Sequence, residues 1–122
     1  MGHKQESART SVADRKKVRA TLSELQAELQ KLYGEDTPAI VVYGSHARRQ
    51  AQPTSDVDVL LLYSRAVSRG REIQRVSQIL ADLNLKRQVL ISILPATLAD
   101  YNNPASPFWA NVRREGVSLD AL

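Results

Sequence analysis

The chain has no cysteine and only one tryptophan, one phenylalanine and one methionine among its 122 residues. Without cysteine there is neither a disulfide framework nor a thiolate zinc site. The two histidines, His3 and His46, lie far apart in sequence, which argues against a histidine-built metal centre. So few aromatic rings leave little for a platform on which successive bases could stack. Direct nucleic-acid binding is therefore not expected. No apolar run approaches the roughly 20 residues of a membrane span. The opening "MGHKQESARTS" lacks the apolar centre of a signal peptide. The expectation is a cytoplasmic protein with no membrane contact.

What remains is the composition of a soluble globular protein, 43% hydrophobic and 25% charged. A length of 122 residues suits one domain, 1–122, with about the first ten residues as a flexible lead-in. The formal charge is +4 and the pI about 9.7. It comes from "DRKKVR", residues 14–19, and from Arg65, Arg69, Arg71, Arg75, Lys86, Arg87, Arg113 and Arg114. A basic balance favours anionic partners such as a nucleotide, a nucleic acid or an acidic protein surface. Solvated helix faces account for any one of these residues equally well.

Val18, Leu22, Leu25, Leu29 and Leu32 recur in steps of four and three. This predicts one amphipathic helix over about 10–33, with Gly34 as its stop. "AIVVY", 39–43, and "VDVLLLY", 57–63, are short continuous apolar runs that read as buried strands. Ile73, Val76, Ile79, Leu80 and Leu83 predict a second helix over about 69–84. "QVLISIL", 88–94, reads as a third strand closed by Pro95, "ATLADY" as a helical turn, "NNPASP" as a loop, and "FWANVRRE", 108–115, as a short helix ended by Gly116. Phe108, Trp109 and Val112 are expected to cover the sheet. The first two strands are joined by about a dozen residues, too few for a comfortable crossover helix. The fold class is thus α/β (α+β), a small mixed β-sheet with helices packed on it.

The chemistry concentrates between the first two strands, in "GSHARRQAQPTSDVD", 44–58. Asp56 and Asp58 are two apart at the head of a strand, so both point to one face. Two carboxylates there repel, and burial adds to the cost. A hard divalent cation relieves both, Mg²⁺ foremost, since it binds through one or two carboxylates together with substrate phosphates. A polar strand entry, with Asp56 capping a turn and Asp58 solvated, is the plainer reading. Gly44 lets the backbone turn sharply and approach a ligand closely. Ser45 stands at an N-cap position beside backbone N–H groups that suit phosphate. An ordinary strand-to-helix turn would also use Gly-Ser.

Gly44-Ser45, ten intervening residues and Asp56-x-Asp58 together resemble the nucleotidyltransferase superfamily of the DNA polymerase β type. Ala47, Arg48 and Ser55 extend the match. The small size and the closing "PFWANVRREGVSL" are similar to the minimal nucleotidyltransferases. The resemblance implies the polymerase β-like fold, with Mg²⁺ held by Asp56 and Asp58, which are also the catalytic pair. It implies ATP phosphates held by Gly44, Ser45 and Arg48, where Arg48 either contacts phosphate or braces the loop. It further implies an antitoxin that transfers AMP to a tyrosine hydroxyl of a HEPN-domain ribonuclease toxin, within a hetero-oligomer. The alternatives are a catalytically weak or inactive fold that neutralises the toxin by binding, and a transferase of the aminoglycoside type. Two positions depart from the pattern. Arg49 stands where the family commonly has glycine, and "QVLISIL" offers no third carboxylate, Ser92 being its short polar residue.

Overall fold

The computed structural model describes residues 12–48 and 56–122. The N-terminal lead-in, Arg49 and Ser55 lie outside the described residues. Helix α1 (Val12–Tyr33) is followed by a 3₁₀ turn at Gly34–Asp36, strand β1 (Ala39–Tyr43) and the single helical turn α2 (Gly44–Ala47). Strand β2 (Val57–Tyr63), helix α3 (Arg69–Arg87) and strand β3 (Ile91–Thr97) come next. They are followed by the short helix α4 (Leu98–Tyr101), helix α5 (Pro107–Glu115), strand β4 (Val117–Ser118) and a final 3₁₀ turn, Leu119–Ala121. The four strands form one mixed sheet in the order β3-β2-β1-β4. β1 pairs with β2 and β4 antiparallel, whereas β2 and β3 run parallel, joined by α3.

The alternation of β2 separates the molecule into two layers. Val57, Val59, Leu61 and Tyr63 face α1 and α3 and join the larger core with Val18, Leu22, Leu25, Leu29, Val76 and Leu83. Leu60 and Leu62 point the other way and pack with Ala96, Trp109 and Val112 under the C-terminal helices. With both faces covered, β2 is apolar apart from Asp58 near its start rather than alternating, as a central strand should be. Leu22, Leu25 and Leu29 are fully buried, each contributing roughly 1.5–3 kcal/mol of transfer free energy.

Several boundaries differ from the sequence reading. Leu32 is 39% exposed and Tyr33 takes the buried place. Ile73 is likewise exposed, and the buried residue of that turn is Glu72, at 2% exposure. A carboxylate is tolerated there only because it is paired and hydrogen-bonded. Tyr33 Oη donates to Glu72 Oε1 at 2.5 Å and lies 3.2 Å from Tyr63 Oη. The Arg75 guanidinium is 3.7 Å from the same carboxylate and 4.4 Å above the Tyr33 ring. Phe108 is half exposed, while Trp109 and Val112 are buried as expected.

The third strand begins and ends three residues later than the sequence suggested. α3 runs on to Arg87, held by a link to α1 in which Lys86 and Arg87 both bond the Glu24 carboxylate. It stops where Gln88 turns left-handed at φ 57° and donates to Asn84 O. Pro95 lies inside β3 rather than closing it. β3 is an edge strand, and the Leu90 carbonyl accepts from Val57 N–H. Alternation then turns the backbone of Ile91, Ile93, Pro95 and Thr97 outward, where proline loses no ladder bond. Along that outer side Asn84 Oδ1 accepts from Ile91 N–H, Arg69 Nε donates to Pro95 O, and Asp100 Oδ2 accepts from Thr97 N–H.

Candidate active site

Asp58 stands at the end of the sheet where β1 leaves and β2 enters. It registers with Tyr43 across the antiparallel ladder and with Ser92 across the parallel one. Cross-strand partners share a face, so Tyr43, Asp58 and Ser92 form one row on the α5 side. Asp56, exposed, stands just before β2, two residues ahead of Asp58. The two carboxylates sense each other. Burial first, and then the charge of Asp56, raise the Asp58 carboxyl above the ordinary aspartate range, while His46 and Arg48 act in the opposite direction. Burial, and then the Asp58 charge, raise the Tyr43 hydroxyl in the same way.

Gly44 is fitted against this carboxylate. Its φ is +75°, a conformation that side chains other than glycine rarely adopt. A Cβ at this position would lie 2.5 Å from Asp58 Oδ2 and 3.3 Å from its Cγ. Glycine is thus required twice, by the backbone angle and by the closeness of the acid. Ser45 is the second residue of α2 and not its N-cap, which is Tyr43. The Ser45 side chain lies outside what the structure describes. Because α2 is one turn long, any hold on phosphate comes from individual backbone N–H groups, not from an extended helix dipole.

Arg48, immediately after α2, reaches across to the C-terminal helix. Its Nη1 is 3.2 Å from Glu115 Oε1. The contact ties the turn after α2 to the end of α5. Nothing in the sequence pointed to Glu115, which is 67 residues away and looks like an ordinary acid in a helix's last turn. His46 is buried beside the pair, although its place in the motif suggested no role. Ser92 occupies the position level with Asp58 and is exposed.

Among the described residues no three acidic or histidine side chains come together. The donor set is two aspartates, both oxygen ligands, where burial and then the Asp56 charge raise the Asp58 carboxyl above its ordinary range. That set fits a hard cation such as Mg²⁺, which keeps several waters and completes its shell with substrate phosphates. It does not fit a metal that needs a closed cage of protein ligands.

A profile of the polymerase beta nucleotidyltransferase family matches residues 20–119. The chain belongs to that family. As a polymerase β-type nucleotidyltransferase it shares its fold with solved structures at low identity. One is a nucleotidyltransferase from Sulfolobus solfataricus, 13% identical with a TM-score of 0.57, matching 97% of this chain and 89% of that one. Another is a toxin–antitoxin solved with AMP-PNP, 12% identical with a TM-score of 0.54, matching 83% of this chain and 71% of that one. A search of the curated proteins gives no significant match. The four-stranded mixed sheet is the fold expected of a polymerase β-type nucleotidyltransferase, and nucleotidyl transfer is the general chemistry that membership assigns. No described helix is long and apolar enough to cross a membrane.

Proposed function

We propose that this nucleotidyltransferase is a cytoplasmic, single-domain antitoxin that transfers AMP from ATP to a tyrosine hydroxyl of a HEPN-type ribonuclease partner, with Mg²⁺ as cofactor. The observation that carries the reading is Gly44 pressed against Asp58 where a side chain would fill the space, with Asp56 two residues before that carboxylate. Likeness of fold to a toxin–antitoxin solved with AMP-PNP supports the partner and the nucleotide.

In this scheme the carboxylates of Asp56 and Asp58 serve as ligands and orient the triphosphate. Gly44 and Ser45 approach the phosphates through their backbone, and Arg48 lies within reach to add a charge-assisted contact. The cation, when bound, supplies charge neutralisation for the phosphates and for the departing pyrophosphate. The acceptor oxygen bonds to the α-phosphorus, the bond to the bridging oxygen breaks, pyrophosphate leaves, and the hydroxyl proton passes to solvent. Positioning and electrostatics suffice for such chemistry, so few residues are needed. A phosphate ester on the partner adds charge and bulk that would oppose RNA binding there. Incubating the chain, its partner, Mg²⁺ and α-labelled ATP should label the partner, and Asp56→Asn or Asp58→Asn should abolish the label. Absence of label with all components present sinks the reading.

Ser92 favours a second reading. It stands level with Asp58 where a third carboxylate would bind metal or assist the acceptor, and a serine does neither well. An antitoxin acting by binding alone would neutralise its partner without ATP, and a double Asp56→Asn, Asp58→Asn variant would retain that ability.

A further inference from the structure

The contact between Arg48 and Glu115 joins the turn after α2 to the end of α5, and the two ends of this contact differ in how firmly they are held. Glu115 is anchored. Ser106 caps the start of α5 and Pro107 opens it. At its end Gly116 N–H donates to Val112 O at 2.6 Å. Gly116 is packed so closely that a Cβ would lie 2.8 Å from both Val112 O and Val41 Cγ1. Immediately beyond, Val117 and Ser118 pair with Val42 and Val41 of the sheet. The carboxylate therefore has a fixed mooring. Arg48 sits on a long side chain, 43% exposed, at the close of a one-turn helix. Its charge is felt at Asp58, whose carboxyl it helps to lower.

We propose that Glu115 is a positioning residue acting through Arg48. It holds the guanidinium against α5 while the site lacks nucleotide and surrenders it to the triphosphate when nucleotide binds. The inference rests on the nucleotide-binding reading given above. A guanidinium matches carboxylate and phosphate with the same planar fork of donors, so the two compete for one group. The exchange does not strand the acid, because Arg114 Nη2 lies 4.0 Å from Glu115 Oε2 and remains as its partner. Exposed arginine–carboxylate pairs are individually weak, which is what a readily exchanged contact requires.

The sign of the effect separates this role from a plain structural brace. If Glu115 only stiffened the loop, Glu115→Gln would loosen it and weaken nucleotide binding. As a competitor, its neutralisation tightens binding of ATP and of inorganic tripolyphosphate, in EDTA and in Mg²⁺, by roughly two- to five-fold, the range expected of an exposed pair. Calorimetric titration of the full chain reads this directly. Arg48→Ala should weaken binding, and in that background Glu115→Gln should have no further effect. Thermal melts without ligand establish that each variant is folded. Weaker or unchanged binding by Glu115→Gln, or an equal gain in the Arg48→Ala background, overturns the inference while leaving nucleotide binding intact. Failure of the unaltered chain to bind ATP with Mg²⁺ overturns the reading beneath it as well.

Discussion

Two glycines with positive φ provide an internal comparison for the fit at the candidate site. Gly34 has φ +61° and nothing within 4 Å of where its Cβ would lie, whereas Gly44 has φ +75° with the Asp58 carboxylate in that space. Gly34→Ala should therefore cost only the left-handed backbone penalty, about 1–2 kcal/mol. Gly44→Ala carries the same penalty and adds a collision. The new Cβ would lie 2.5 Å from Oδ2, 3.3 Å from Cγ and 3.4 Å from Cβ of Asp58. Turning the carboxylate about its Cβ–Cγ bond relieves the first distance but leaves the close approach to Cγ, so part of the strain passes to the strands. Overpacking of this kind costs about 1–3 kcal/mol. The Gly44→Ala variant should thus lose about 2–5 kcal/mol in all, and the excess over Gly34→Ala belongs to the contact. Urea unfolding with linear extrapolation measures both. Adding Asp58→Ala to each variant completes the cycle: it should recover the excess at 44 and recover nothing at 34. Equal losses for the two glycine substitutions, within about 0.5 kcal/mol, would refute the claim that Gly44 is shaped around Asp58.

The carboxylate itself should prove a burden on stability. The folded chain holds the Asp58 proton to higher pH than the unfolded chain does. The contribution of this group to stability is then greatest in acid and is lost as pH rises through the raised Asp58 range. Asp58→Asn should accordingly melt higher than the unaltered chain at pH 7, with the gain vanishing in acid; a lower melting temperature at pH 7 contradicts this. Ser92→Asp should place a third carboxylate level with Asp58 and tighten Mg²⁺ or Mn²⁺ binding by about ten-fold or more, in line with one added ligand charge near a partly exposed site. Calorimetry showing no gain would mean that Ser92 does not face the cation. Tyr33, Tyr43 and Tyr63 all titrate above the ordinary phenol range, burial being the largest cause in each. Absorbance at alkaline pH should therefore show late ionisation that reverts in denaturant, and stability should decline above the ordinary tyrosine range, where only the unfolded chain releases these protons.

Much of this was legible in the sequence, for identifiable reasons. Ala39–Tyr43 and Val57–Tyr63 were bounded correctly because both are apolar runs ended by polar or glycine residues, and a central strand buried on two faces has no other signature. The brevity of the loop between them argued against a crossover helix, and the two strands pair antiparallel. The glycine after the first strand told that backbone is close there, and it is the Asp58 side chain that it approaches. What could not be read depended on partners distant in sequence. Pro95 looked like a terminator, since its harmlessness depends on β3 being the edge strand. Glu72 looked like a solvated acid until Tyr33 and Arg75 closed over it. β4 is two residues long and owes its strand character to β1. Glu115 carries no local mark of its contact with Arg48, because no periodicity in either segment encodes the distance between them.

The outer rail of β3 has one further consequence. Three of its outward groups, Ile91 N–H, Pro95 O and Thr97 N–H, are engaged by Asn84, Arg69 and Asp100, and one amide hydrogen is replaced by the proline ring. A neighbouring chain that sought to extend the sheet from this side would meet a rail already occupied. Whatever this protein joins, it cannot readily join there by adding backbone to backbone. Association on this side must instead run through side chains, which can be matched to a single companion, whereas an open strand would accept nearly any.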